Sequence, residues 1–155
     1  MNRNTLARIC LAAGLLLPAL VSAAKVGDVL PALTLKDQLG NPHTLDASIK
    51  RIYANADRKG DALMKSVELV QATLDKQKAI VIADISEAPG FVKRIITGSL
   101  KDRRYTTWID RQGSSRKALA FSADKVTVIE LDGLRITAIR SVADKAALQK
   151  ELLQP

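Results

Sequence analysis

A chain of 155 residues with 24 lysines and arginines against 16 acids carries a net charge of +8, and 47% of its residues are apolar. That length suits one domain able to bury about two-thirds of its unfolded surface. A single cysteine, Cys10, excludes an internal disulfide, and five aromatic residues without a recognition motif argue against a nucleic-acid binder.

Arg3 and Arg8 precede an apolar run from Ile9 to Leu17 that resumes after Pro18 and reaches Val21. The run is too short to span a bilayer comfortably, and Val21-Ser22-Ala23 places small residues where a signal peptidase reads. This pattern predicts a secretory signal peptide over residues 1–23, cleaved after Ala23 or Ala24, with a single domain over 24–155 and no transmembrane segment left. Ala7-Arg8-Ile9 lacks the small apolar triplet that would mark Cys10 for lipidation. Cleavage would remove the only cysteine, so the mature chain would enter an oxidising compartment with no thiol. It would also remove Arg3 and Arg8, leaving 22 cations against 16 acids, a net of +6. Such a chain suits anionic partners such as lipid head groups or a polyanionic glycolipid, or is simply a soluble basic protein.

Leu33 and Leu35 alternate before the turn residues Asp37-Gln38-Leu39-Gly40-Asn41-Pro42, and His43-Thr44-Leu45 follows, so a small hairpin is expected first. His43, the one histidine, reads as an exposed residue beside that turn, without the further ligands a metal would need. A strand over Ile49–Asn55 leads into a polar corner, Asp57-Arg58-Lys59-Gly60. A helix from about Arg58 to Asp75 follows, with Leu63, Val67, Val70 and Leu74 at helical spacing. Asp57 is placed to cap that helix.

Ala79–Ile85 is aliphatic at every position but Asp84 and predicts a strand in the middle of the sheet. Ser86 and Pro89 open the next helix, Phe91, Val92, Ile95 and Ile96 form its inward face, and Gly98 ends it. Tyr105–Asp110 reads as a strand and Ser114–Phe121 as a short helix, where Ser114-Ser115 serves capping better than nucleophilic chemistry, the histidine being distant. Val126–Leu131 and Leu134–Arg140 flank Asp132-Gly133, a type I′ hairpin signal. Ser141 then caps a final helix, with Asp144 three residues on and Ala147, Leu148 and Leu152 facing inward.

The leader VGDVLPALTLKDQLGNPHTL resembles that of thioredoxin-like proteins of the peroxiredoxin and thiol-reductase type. Phe91-Val92-Lys93, then Asp110-Arg111-Gln112-Gly113 with Arg116-Lys117-Ala118, then VTVIELDG, resemble the YtfJ family of periplasmic thioredoxin-fold proteins. The resemblance implies an α/β, thioredoxin-like fold: a central mixed sheet with helices on both faces and an N-terminal hairpin. It implies the periplasm as compartment. It also places the redox pair of active relatives on Asp57 and Gly60, where Asp-Arg-Lys-Gly stands in place of Cys-x-x-Cys, and the family's cis-proline on Lys125. The thiolate and its resolving partner are thus missing, as is the proline bend.

The reading that follows is a binding or interaction module without thiol redox activity and without a cofactor or metal. Its partner is an unidentified protein or an anionic envelope component. Eight cations, Lys93, Arg94, Lys101, Arg103, Arg104, Arg111, Arg116 and Lys117, offer an anion-attracting patch if the fold brings them together. The alternative is an enzyme using Asp57 as acid or base beside Arg58 and Lys59. Adjacent cations lower a carboxyl pKa and weaken it as a base, which disfavours that alternative.

Overall fold

The computed structural model describes residues 23–155, so most of the segment read as a signal peptide, with Cys10, lies outside the described residues. Strands β1 (Thr34–Asp37) and β2 (Pro42–Thr44) form the expected hairpin. Asp37 shapes its turn: one carboxylate oxygen accepts from the amides of Leu39 and Asn41 at 2.8 and 2.9 Å, and Gly40 supplies φ of 94°. Strands β3 (Arg51–Asn55), β4 (Ala79–Asp84) and β5 (Thr107–Asp110) run parallel. Strand β6 (Val126–Asp132) pairs antiparallel with β3, and β7 (Arg135–Val142) with β6. The seven strands lie in the order β2-β1-β5-β4-β3-β6-β7, which puts the aliphatic run of β4 at the centre.

The two-residue period of the strands divides the core. Ile52, Ala54, Ile80, Ile82, Trp108, Ile129 and Leu131 face one side. Leu30, Leu33 and Leu119, the last just beyond helix α4 (Ser114–Ala118), close that side. Tyr53, Ala79, Val81, Val126 and Val128 face the other side. It is closed by Met64, Leu74 and Leu148 of helices α1 (Arg58–Ser66), α2 (Gln71–Gln77) and α5 (Lys145–Leu153). Helix α3 (Gly90–Leu100) packs Leu100 and Ile96 on Ile85 and Ile109.

Several local expectations are corrected. The helix expected to run unbroken to Asp75 is two helices, because Val67 and Val70 adopt extended backbone. In that linker Val67 and Leu69, two apart, are both buried, which a continuous helix could not arrange on one face. Pro89 occupies the N-cap of α3 in place of Ser86, and the helix runs past Gly98 to Leu100. Phe91 and Ile95 do not face inward but are 69% and 66% exposed. The β6–β7 turn is centred one residue later than expected, on Gly133 and Leu134, both with φ of 56° and flanked by the pair Asp132 and Arg135. Ser141 lies within β7, and Asp144 is the cap of α5, accepting from the Ala147 amide at 2.9 Å.

The C-terminus of α5 is held by buried polar side chains. Gln77 Nε2 donates to the carbonyls of Glu151, Leu152 and Gln154 at 3.0, 3.1 and 2.6 Å. Tyr53 Oη donates to Gln77 Oε1 at 2.8 Å, and Arg51 Nη1 to the Glu151 carbonyl at 3.1 Å. Carbonyls that a helix end leaves without partners are thereby satisfied. Arg51 also pairs with Glu130 at 3.0 Å, and Arg140 bridges Glu130 and Glu151 at 2.6 and 2.8 Å. Burial pushes the Glu130 carboxyl up, but Arg140 and Arg51 outweigh it and hold it below its ordinary value.

His43 is half-buried rather than exposed. Its Nε2 lies 2.8 Å from Asp37 Oδ2, and its ring stacks on Trp108 with centroids 5.3 Å apart. Burial alone would raise the Asp37 carboxyl, but hydrogen bonds from His43, Asn41 and Leu39 win and hold it at about 2 against an ordinary 3.8. A lowered folded value means the ionised form favours folding, fully above the unfolded value and progressively less as pH falls through the folded one. Asp37→Asn is expected to lose about 1 kcal/mol in urea unfolding at neutral pH, with the gap to the parent closing as pH falls toward about 2.

Candidate functional site

Strand β3 ends at Asn55 and helix α1 begins at Arg58, so the polar corner stands at the C-terminal edge of the parallel strands. Ligands bind outside that edge in open α/β sheets. Asp57 is extended (φ −148°, ψ 175°) and is the N-cap. Its Oδ1 accepts from the Gly60 amide at 2.8 Å, and its Oδ2 accepts from the Asp124 amide at 2.6 Å. Asp124 sits at φ of 61° just before β6, and its carboxylate pairs with Lys59 at 2.8 Å.

Gly60 and Lys125, far apart in sequence, adjoin here. A β-carbon on Gly60 would lie 2.7 Å from the Lys125 carbonyl oxygen and 3.0 Å from the Asn55 β-carbon. Backbone on one side and strand on the other leave no room for a side chain. No cis peptide bond occurs among the described residues, so Lys125 follows an ordinary trans bond. Residues 23–155 contain no cysteine. Asp57 has both oxygens engaged by backbone amides, Lys59 is paired and Arg58 is exposed. The corner joins two segments of the chain, with each Asp57 carboxylate oxygen accepting from a backbone amide.

The eight cations do not form one patch. Arg103 pairs with Asp61 at 2.6 Å and hydrogen-bonds Tyr105 Oη. Arg116 binds the buried Asp84 at 2.6 Å and also pairs with Glu87. Lys117 lines a shallow groove with Asp28 and Pro31, while Arg94 and Arg104 are exposed. Lys93 donates to the Arg111 carbonyl and Arg111 to Thr97 Oγ1, at 3.1 and 2.6 Å. Arg111, Lys101 and Lys36 border a groove of about 470 Å³ between α3 and the β1–β2 turn. Lys36 was not among the eight, because sequence distance hides its place on β1 beside Ile109 of β5.

Two buried carboxylates at the same sheet edge also escaped the sequence reading, although Asp84 interrupts an aliphatic run. Asp84 and Asp110 are register partners at the ends of β4 and β5. Asp110 accepts from the Gln112, Gly113 and Ser115 amides and from Ser115 Oγ at 2.6–2.9 Å. Burial pushes its carboxyl up, but those donors prevail and lower it below its ordinary value. Ser115 is fully buried in this arrangement and Ser114 is exposed, which removes any nucleophilic role for Ser115. Among the described residues no group of three or more His, Cys, Asp or Glu side chains could hold a metal ion, and no helix is long and apolar enough to cross a membrane.

Solved structures place this architecture. The chain is similar to the thioredoxin domain of a thiol-disulfide oxidoreductase from Bacteroides vulgatus (14% identity, TM-score 0.52, covering 85% of this chain and 100% of that one). It is similar to a candidate thiol:disulfide interchange protein DsbE from Chlorobium tepidum (16%, TM-score 0.54, 84% and 97%). It is also similar to peroxidoxin BcpB from Mycobacterium tuberculosis (16%, TM-score 0.52, 83% and 94%). No family model and no curated protein matches it. At these identities the likeness shows the fold: a thioredoxin-like α/β domain with a seven-stranded mixed sheet.

Two substitutions test the corner as a structural joint. Gly60→Ala is expected to destabilise by about 1–3 kcal/mol, since the Lys125 backbone must move. Asp57→Ala is expected to lose about 1–2 kcal/mol through the lost cap and the freed Asp124 amide. Urea unfolding followed by circular dichroism measures both.

Proposed function

We propose that this chain is an exported, YtfJ-like thioredoxin-fold protein that lacks thiol redox activity and serves as a non-catalytic binding module in the periplasm. The observation that carries the reading is the corner after β3. There Asp57 and Gly60 stand where the resemblance puts a dithiol, and both are used up in holding α1 against the segment before β6. The missing cis-proline at Lys125 supports it from a second position. Thiol-disulfide exchange needs a thiolate and a resolving thiol, and residues 23–155 supply neither. Export removes Cys10 with the leader in this reading.

The protein recovered from the periplasm is expected to begin at Ala24 or Lys25, as intact mass will report. It is expected to leave insulin reduction and peroxide consumption at their uncatalysed rates. Turnover by the cysteine-free form would overturn the proposal.

A further inference from the structure

We propose that the outer face of α3, with the neighbouring β1–β2 turn, docks on an anionic lipid surface. The inference deepens the binding reading above and rests on it. Phe91, Ile95 and Gly98 follow one another at the i, i+4, i+7 spacing of a single helix stripe. Phe91 and Ile95 are 69% and 66% exposed, and a β-carbon at Gly98 would meet nothing within 4 Å. Nothing among the described residues covers this stripe.

Helix α3 holds itself to the sheet with the opposite side, through Leu100 and Ile96, so burial of Phe91 and Ile95 is not needed for folding. Arg94 and Lys101, seven residues apart, run along one flank of the stripe. Both are exposed, and neither has an ion-pair partner among the described residues. Between Ala88 and Ile109 the sole acid is Asp102. Across the groove lies Leu39, 71% exposed, and Lys36, Arg111 and Thr97 line the same groove.

The occupant follows from shape and charge. Three large apolar side chains on two adjacent elements, edged by Arg94, Lys101 and Lys36, suit a plane into which apolar groups dip while cations reach phosphates. Phe91 and Ile95 lie outside the lining of that groove, so the apolar stripe itself meets no facing wall that could grip a peptide backbone.

Co-sedimentation with vesicles of phosphatidylcholine alone or mixed with phosphatidylglycerol tests the proposal. Binding is expected on the anionic vesicles only, and is expected to weaken as salt rises. Arg94→Gln with Lys101→Gln is expected to weaken it about thirtyfold. Phe91→Ser with Ile95→Ser is expected to weaken it at least about tenfold with an unchanged circular dichroism spectrum. Absent binding, or binding that both double variants retain, would overturn the lipid assignment. Insulin reduction measured on the same sample separates the two claims. A silent assay with failed vesicle binding removes this surface and leaves the non-redox reading standing, whereas turnover removes the reading itself.

Discussion

The arrangement at the top of the sheet depends on one carboxylate. Asp57 reaches two backbone amides that belong to distant parts of the chain, Gly60 at the start of α1 and Asp124 before β6. A carboxylate between two N-H donors satisfies donors that a helix start and a loop would otherwise leave to solvent. The same joint brings the Lys125 carbonyl against Gly60, so the closeness of the two segments and the absence of a side chain at residue 60 are one constraint. A side chain at residue 60 would need space that the Lys125 carbonyl and the Asn55 β-carbon already fill.

Below that edge the domain is tied at its other end by a polar cluster of a different kind. Arg51, Tyr53 and Gln77 are buried, and their donors converge on the last carbonyls of α5 or on one another. Buried polar groups left alone would be costly, and here each finds a partner. The central strands between the two ends are aliphatic and carry the hydrophobic stabilisation. Helix α3 stands apart from this economy. It is held through a small cluster and keeps two large apolar residues outside, and its residues stay available for contacts beyond the domain.

The sheet was legible because its strands announce themselves by composition, as Ala79–Asp84 does, and the Asp57 cap was legible because the period changes beside it. What escaped has physical reasons. Leu63, Val67, Val70 and Leu74 fit a helical period, yet extended backbone at Val67 and Val70 buries Val67 and Leu69 together. Phe91 and Ile95 look like core residues by type, and only the orientation set by Leu100 turns them outward. The positive φ of the β6–β7 turn fell on Leu134 rather than Asp132 because the Leu134 carbonyl accepts from the Leu30 amide and its side chain packs on the core. Within the site, the counted positions Asp57, Gly60 and Lys125 do meet. Of the eight cations, Arg103 and Arg116 are engaged by Asp61, Asp84 and Glu87, partners that sequence distance hides.

Amide hydrogen exchange followed by NMR in the parent protein and in Asp57→Ala tests the account most directly. The Gly60 and Asp124 amides, on separate segments, should both be protected in the parent, and both should lose protection in the variant while the amides of β4 keep theirs. Unchanged exchange at these two amides would contradict the structural role assigned to Asp57.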